Sequence, residues 1–384
     1  MVIKCTSINP EILIWARESS GYSLEDICAT NKKYNDWEKG TDFPTYAELE
    51  KIANKFKRPL AIFFFPEIPK EPSQKKSFRT IPDYEFDNLT PTIKFLFRKG
   101  LSMQENLKEL NNNKNTEYTT FTKSIGNISD FNAKNIEQIR RLLDVSFDIQ
   151  FKTNNRDEMF EIWRNSFADI GIYVFKEAFK DNNVGGFCLY DEMYPIIFVN
   201  NSTTKNRQIF TLFHELAHLI LKGNHIDLSD RNYVDNLPSN IKRIEVICNK
   251  FAGDFLVPNS ALTSLIKDST LSEKYIEQLS DKFAVSQEVI ARRLLDKNLI
   301  TQVTYNDIAK QLKEMASKHS TNRGGNYYYN QIAYLGKRYI GLILDKYNAR
   351  MITFDQAVQY VGIKANKFYD LENHYSKLVY GGVV

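Results

Sequence analysis

Apolar residues recur at helical spacing along most of this chain and at strand spacing in one central stretch. Ile8, Ile12, Trp15 and Ala16 share one helical face. Ser23, followed by Glu25 and Asp26, reads as a helix N-cap with an acidic first turn. Pro44-Thr45 opens another helix, with Leu49, Ile52, Ala53 and Phe56 inward, before the apolar block Pro59–Pro66. Thr90-Pro91 starts a helix over 91–111 that the tract Asn111-Asn-Asn ends. Residues 133–144 predict an amphipathic helix with Arg140 and Arg141 on its solvated edge. Arg156–Asp169 turns Phe160, Trp163 and Phe167 inward, and Gly171 fits its C-terminal cap. Ile172–Phe175, Gly185–Tyr190 and Pro195–Val199 then predict the strands of a small antiparallel sheet.

A further helix begins near Lys205–Gln208 and ends at Lys222-Gly223, followed by a polar loop over Asn224–Asn240. From Ile241 the stripe Ile244, Cys248, Phe251, Phe255 keeps clean helical spacing up to Pro258. Thr304–Ala316 predicts a helix, Lys318–Asn326 a polar link, and Tyr327–Tyr347 one long helix. Thr353 caps a last helical segment. The pattern is α+β and mostly helical. Pro66–Arg79, with three prolines, has a linker's composition. The expected division is a helical domain at 1–66, a linker and connecting helix at 67–117, a sheet-containing domain at 118–300 and a helical C-terminal region at 301–384.

Composition adds bounds. The 384 residues carry a net charge of +4, which neither demands nor excludes nucleic acid. Cys5, Cys28, Cys188 and Cys248 have no paired spacing, so a cytoplasmic, reducing location is expected rather than a disulfide framework. Neither a signal-peptide core nor a run of about 18 apolar residues occurs.

The chemistry concentrates in His214-Glu215-Leu-Ala-His218, inside a helix-competent run. Histidines four apart stand one turn above each other on one face and can hold one Zn²⁺. Glu215 is then placed to act as general base toward water. A catalytic zinc takes three protein ligands, so one remains to be found. Glu245, 27 positions after His218 and on the next helix, is the acidic residue best placed, ahead of Asp254. His225 and Asp227 are alternatives if the loop folds back. An oxyanion donor is also expected, with Tyr233 and His225 as candidates.

Arg207-x-x-Phe-Thr-Leu-x-His214-Glu215-Leu-Ala-His218, followed by Glu245-x-x-x-Asn249-x-Phe-Ala-x-x-Phe-Leu-Val-Pro258, resembles the ImmA/IrrE family of zinc metallopeptidase-like proteins. Gly171-Ile-Tyr-Val-Phe, Pro-Ile-Ile-Phe-Val-Asn200 and Val285–Leu294 fit its pattern as well. The resemblance implies a zincin-like domain in which His214, His218 and Glu245 hold Zn²⁺, Glu215 is the general base and Asn249 orients Glu245 or substrate. It implies a cytoplasmic endopeptidase of narrow specificity, cleaving a repressor-type protein in a prophage, mobile-element or stress response. The N-terminal short helices, Gly21 turn, Trp37-Glu38-Lys-Gly40 and Pro44-Thr45 resemble the helix-turn-helix domain of Cro/C1-type regulators. Only seven residues separate Ala29 from Trp37, too few for a full turn and recognition helix, so this motif is shortened. Lys32, Lys33 and Lys39 are its remaining candidates for phosphate contact. The alternative reading is therefore a transcriptional regulator or antitoxin-like module, partnered by DNA or a toxin, with a structural zinc fold.

Overall fold

The computed structural model describes residues 3–70, 89–153, 155–228, 239–266, 272–316 and 325–381. The expected linker at 66–79, the link at 318–326 and the loop at 224–240 fall largely outside them, and Tyr233 does so entirely. The chain divides after Ser102 into two compact units.

The first unit holds α1 (Pro10–Ser19), α2 (Leu24–Cys28), α3 (Tyr34–Glu38) and α4 (Tyr46–Phe56). Capping boxes at Ser23 and Thr45 start α2 and α4, satisfying backbone N–H groups the helix cannot. Tyr34 and Trp37 of α3 are fully buried with Leu13, Ile27 and Phe56. The Arg17 guanidinium donates to Glu38 at 2.7 Å and closes the side of this core. Phe63 completes the core, whereas its neighbours Phe64 and Phe65 are exposed. Lys32, Lys33 and Lys39 are exposed around α3.

The helix α5 (Pro91–Leu110) carries the division point. The second unit continues with α6 (Thr116–Ile125), α7 (Ala133–Leu143), α8 (Phe147–Lys152) and α9 (Arg156–Asp169). Next come β1 (Tyr173–Glu177), β2 (Val184–Leu189), β3 (Ile196–Asn200), α10 (Lys205–Ile220) and β4 (His225–Leu228). α11 (Ser239–Leu256) follows, then the shorter helices α12 (Asn259–Leu265), α13 (Glu273–Phe283), α14 (Gln287–Asp296) and α15 (Gln302–Ala316). The unit ends with α16 (Tyr327–Leu335), α17 (Lys337–Asn348), α18 (Phe354–Val361) and α19 (Phe368–Tyr380).

The sheet has the order β1-β3-β2-β4 and is mixed rather than wholly antiparallel. β2 and β3 form an antiparallel pair across the turn at Asp191, and β1 takes the far side of β3, parallel to it. All five residues of β3 are buried, so this strand occupies the interior of the sheet and needs a neighbour on each side. β4 lies in a stretch expected to be loop. It pairs with the outer side of β2 through a bulge between Val184 and Gly186.

Two further expectations change. Arg140 is not at a solvated edge. Its guanidinium donates to the carbonyls of Phe255 at 2.8 Å and Val145 at 3.2 Å and to Gln150 Oε1 at 3.0 Å. It also lies 3.9 Å from the centre of the Phe147 ring. Arg141, one position on, is exposed as expected. The helix expected over Tyr327–Tyr347 breaks at Gly336, whose φ of +89° only glycine adopts readily. Arg164 causes the break to be useful: it donates to Ala333 O at 2.7 Å and Tyr334 O at 2.8 Å, the carbonyls α16 leaves unpaired at its end. A Cβ at 336 would stand 2.7 Å from that guanidinium.

Candidate metal centre

Thr204 caps α10 by accepting a hydrogen bond from Arg207 N–H. Beyond this first turn, α10 is buried on every face from Thr211 to Leu219. It packs on α11, β2 and β3, so its polar residues are held in apolar surroundings. His214, Glu215 and His218 are 2%, 0% and 1% exposed. Burying three polar side chains costs several kcal/mol unless each finds a partner.

Those partners converge at one point. His214 Nε2 and His218 Nε2 face each other at 3.2 Å. Glu245, brought in by α11, sets one carboxylate oxygen 3.5 Å from His214 Nε2 and the other 3.4 Å from His218 Nε2. Four ligands about 2.05 Å from a zinc ion stand about 3.3 Å from one another, which these separations approximate. The donor set, two imidazoles and a carboxylate, is also what a divalent transition metal takes. The residues therefore fit a metal ion.

β4 adds a residue that sequence reasoning left among alternatives. His225 is 3% exposed. Its Nε2 is 2.8 Å from Glu245 Oε1, and its Nδ1 is 3.3 and 3.4 Å from the two oxygens of Glu215. His214, His218, His225 and Glu245 each bring one ligand atom within 4.8 Å of the others. The alternation His225-Ile226-Asp227-Leu228 was the available signal, since it places His225 and Asp227 on one side of a strand.

Asp227 does not join the cluster. It accepts from Arg207 Nη2 at 2.9 Å and from the Thr211 hydroxyl at 3.0 Å, tying β4 to α10. Gly185 at the bulge makes room, since a Cβ there would sit 2.1 Å from Asp227 Oδ2. Asp254 instead pairs with Arg293. Asn249 is exposed one turn beyond Glu245.

Electrostatics follow this packing. Burial opposes charge on His218, and the neighbouring His225 deepens the effect, so its pKa lies well below the ordinary imidazole value. Burial opposes charge on His225 too, but Glu245 and Glu215 outweigh it and raise that pKa to about 10. Burial favours the neutral acid at Glu245, and the histidines around it reverse the sign and hold the carboxyl far below its usual range.

No described helix is long and apolar enough to cross a membrane. Residues 167–295 match the IrrE N-terminal-like domain, peptidase family M78. The radiation response metalloprotease IrrE of Deinococcus radiodurans is 28% identical over 97 residues, covering 25% of this chain and 30% of that protein. Its namesake from Deinococcus deserti is 30% identical over 100 residues, covering 25% and 34%. The chain thus spans about a third of the length of these curated relatives. Every member of the cluster lies within residues 167–295, the stretch similar to the IrrE N-terminal-like domain.

Proposed function

We propose that this protein is a zinc-dependent endopeptidase of narrow specificity. The observation that carries the reading is the buried convergence of His214, His218 and Glu245 beside Glu215. A bound Zn²⁺ would polarise a peptide carbonyl and lower the pKa of water at the site to about 7. Glu215, the residue next to His214 on α10, accepts the proton of the attacking water and returns it to the leaving amine. Its full burial keeps that carboxylate away from bulk solvent. Glu215 and the four clustered side chains are all 5% exposed or less, and a site this enclosed favours narrow specificity. The family resemblance favours a cytoplasmic repressor-type protein as substrate, in a mobile-element or stress response.

Purified full-length chain should carry one Zn²⁺ per molecule, lost in His214→Ala. Cleavage of a repressor encoded beside it should vanish in Glu215→Gln with the metal retained. Full zinc content with no cleavage of any neighbouring regulator by the wild-type chain sinks the peptidase reading.

A second reading, a DNA-binding or toxin-binding regulator, rests on the exposed Lys32, Lys33 and Lys39 around α3. A mobility-shift assay on the protein's own promoter tests the DNA version. No shift at low salt removes it.

A further inference from the structure

The four clustered side chains suggest a four-ligand site at first sight. A site closed by four protein ligands has no position for water and is of the structural kind. Two observations separate His225 from the other three. The first is ring orientation. His218 and His225 stack with centroids 3.6 Å apart and planes 4° from parallel. An imidazole binds a metal through a lone pair lying in the plane of its ring. Two parallel planes a stacking distance apart share no point, so an ion in the plane of His218 is out of the plane of His225. His214 is tilted 58° to His218 and 54° to His225, so its plane meets either one: the stacking shows that His218 and His225 do not both ligate one ion, and the distances decide between them.

The second observation is distance. The His225 Nε2 to Glu245 Oε1 separation, 2.8 Å, is that of a hydrogen bond rather than of two ligands on one ion. On its other side, Nδ1 faces both oxygens of Glu215 in a forked contact. One ring therefore spans the ligand carboxylate and the base carboxylate. β4 holds the ring in place through its pairing with β2 and through Asp227 on Arg207 and Thr211.

We propose that His225 is a positioning residue: it does not ligate the metal, but clamps Glu245 and Glu215 in fixed relation and leaves a coordination position open to water. The inference rests on the metallopeptidase reading above and assigns His225 a role within it. Carboxylate ligands held in this way lose on the order of 10- to 100-fold in metal affinity when the outer partner is removed.

The test uses full-length wild-type chain, His225→Phe, which keeps a ring against His218 but no nitrogen, and His225→Gln, which restores one donor. X-ray absorption of the zinc-loaded proteins should count two imidazoles in wild type and still two in His225→Phe. Chelator competition should show zinc binding weakened 10- to 100-fold in His225→Phe and largely recovered in His225→Gln. Three imidazoles in wild type, or wild-type affinity in His225→Phe, overturns the proposal. The wild-type count decides the first point even if the Phe variant does not fold. Wild-type protein that binds no zinc refutes the metal reading itself, an outcome distinct from zinc bound without help from His225.

Discussion

Arg140 and Arg141 are adjacent in sequence and opposite in consequence. Replacing Arg140 with Ala removes three hydrogen bonds from a charged donor, to Phe255 O, Val145 O and Gln150 Oε1. Burial lowers the Arg140 pKa only to about 9, so the donor is charged at neutral pH. Hydrogen bonds to a charged partner contribute about 1.5 kcal/mol each at the low end, giving roughly 4–5 kcal/mol for three. Gln150 keeps its own bonds to Leu256 O and Phe283 O, so part of the network survives. The net loss should be about 3–5 kcal/mol. With a urea slope of about 2–3 kcal/mol/M, the midpoint should fall by roughly 1–2.5 M. Arg141→Ala is the internal control. Its side chain is 70% exposed and lies 3.9 Å from Glu137, so its loss should stay within about 0.5 kcal/mol. Equal effects from the two substitutions, or less than about 1 kcal/mol from Arg140→Ala, would refute the reasoning.

Gly336→Ala should destabilise the second unit by at least about 3 kcal/mol, read by thermal unfolding, because it combines a positive φ with overlap on Arg164. Gly185→Ala should cost about 1–3 kcal/mol by overlap with Asp227 and also weaken zinc binding, since Asp227 anchors the strand bearing His225. At Asp191, burial favours the neutral acid, but Lys108 and the N–H groups of Tyr194 and Met193 outweigh it and hold the carboxyl below its ordinary value. A carboxyl lowered on folding stabilises above its unfolded pKa of about 3.9, and that stabilisation fades as pH falls through the folded value. Asp191→Asn should therefore cost about 1–2 kcal/mol at pH 7 in urea melts, and the gap to wild type should close below about pH 4. A gap unchanged between pH 7 and pH 3 would contradict this.

What was legible in the chain was what local pattern determines. α10 and α11 follow from long, periodic apolar stripes, and with them came His214, His218 and Glu245. Arg140 was not legible, because the carbonyls it binds at Phe255 belong to a segment more than a hundred positions away. The break at Gly336 was present as a lone glycine, but what makes it productive is Arg164, again remote. The parallel pairing of β1 with β3 depends on strand order, which period-2 alternation does not encode. β4 was missed because four residues in a polar stretch carry too little pattern to stand out.

Register gives β4 a further importance. His225 and Asp227 face α10, while Ile226 between them is 1% exposed and pairs with Phe187. The regular pairing of His225, Ile226 and Asp227 with Cys188, Phe187 and Gly186 fixes which of the two sets points inward; the bulge begins only beyond Asp227. A slip of a single position would present Ile226 to Glu215 and carry the imidazole to the opposite face of the sheet. The clamp is thus specified by register as much as by chemistry: a one-position slip of β4 would keep every side chain in the sequence and still turn a polar wall of the site into an apolar one.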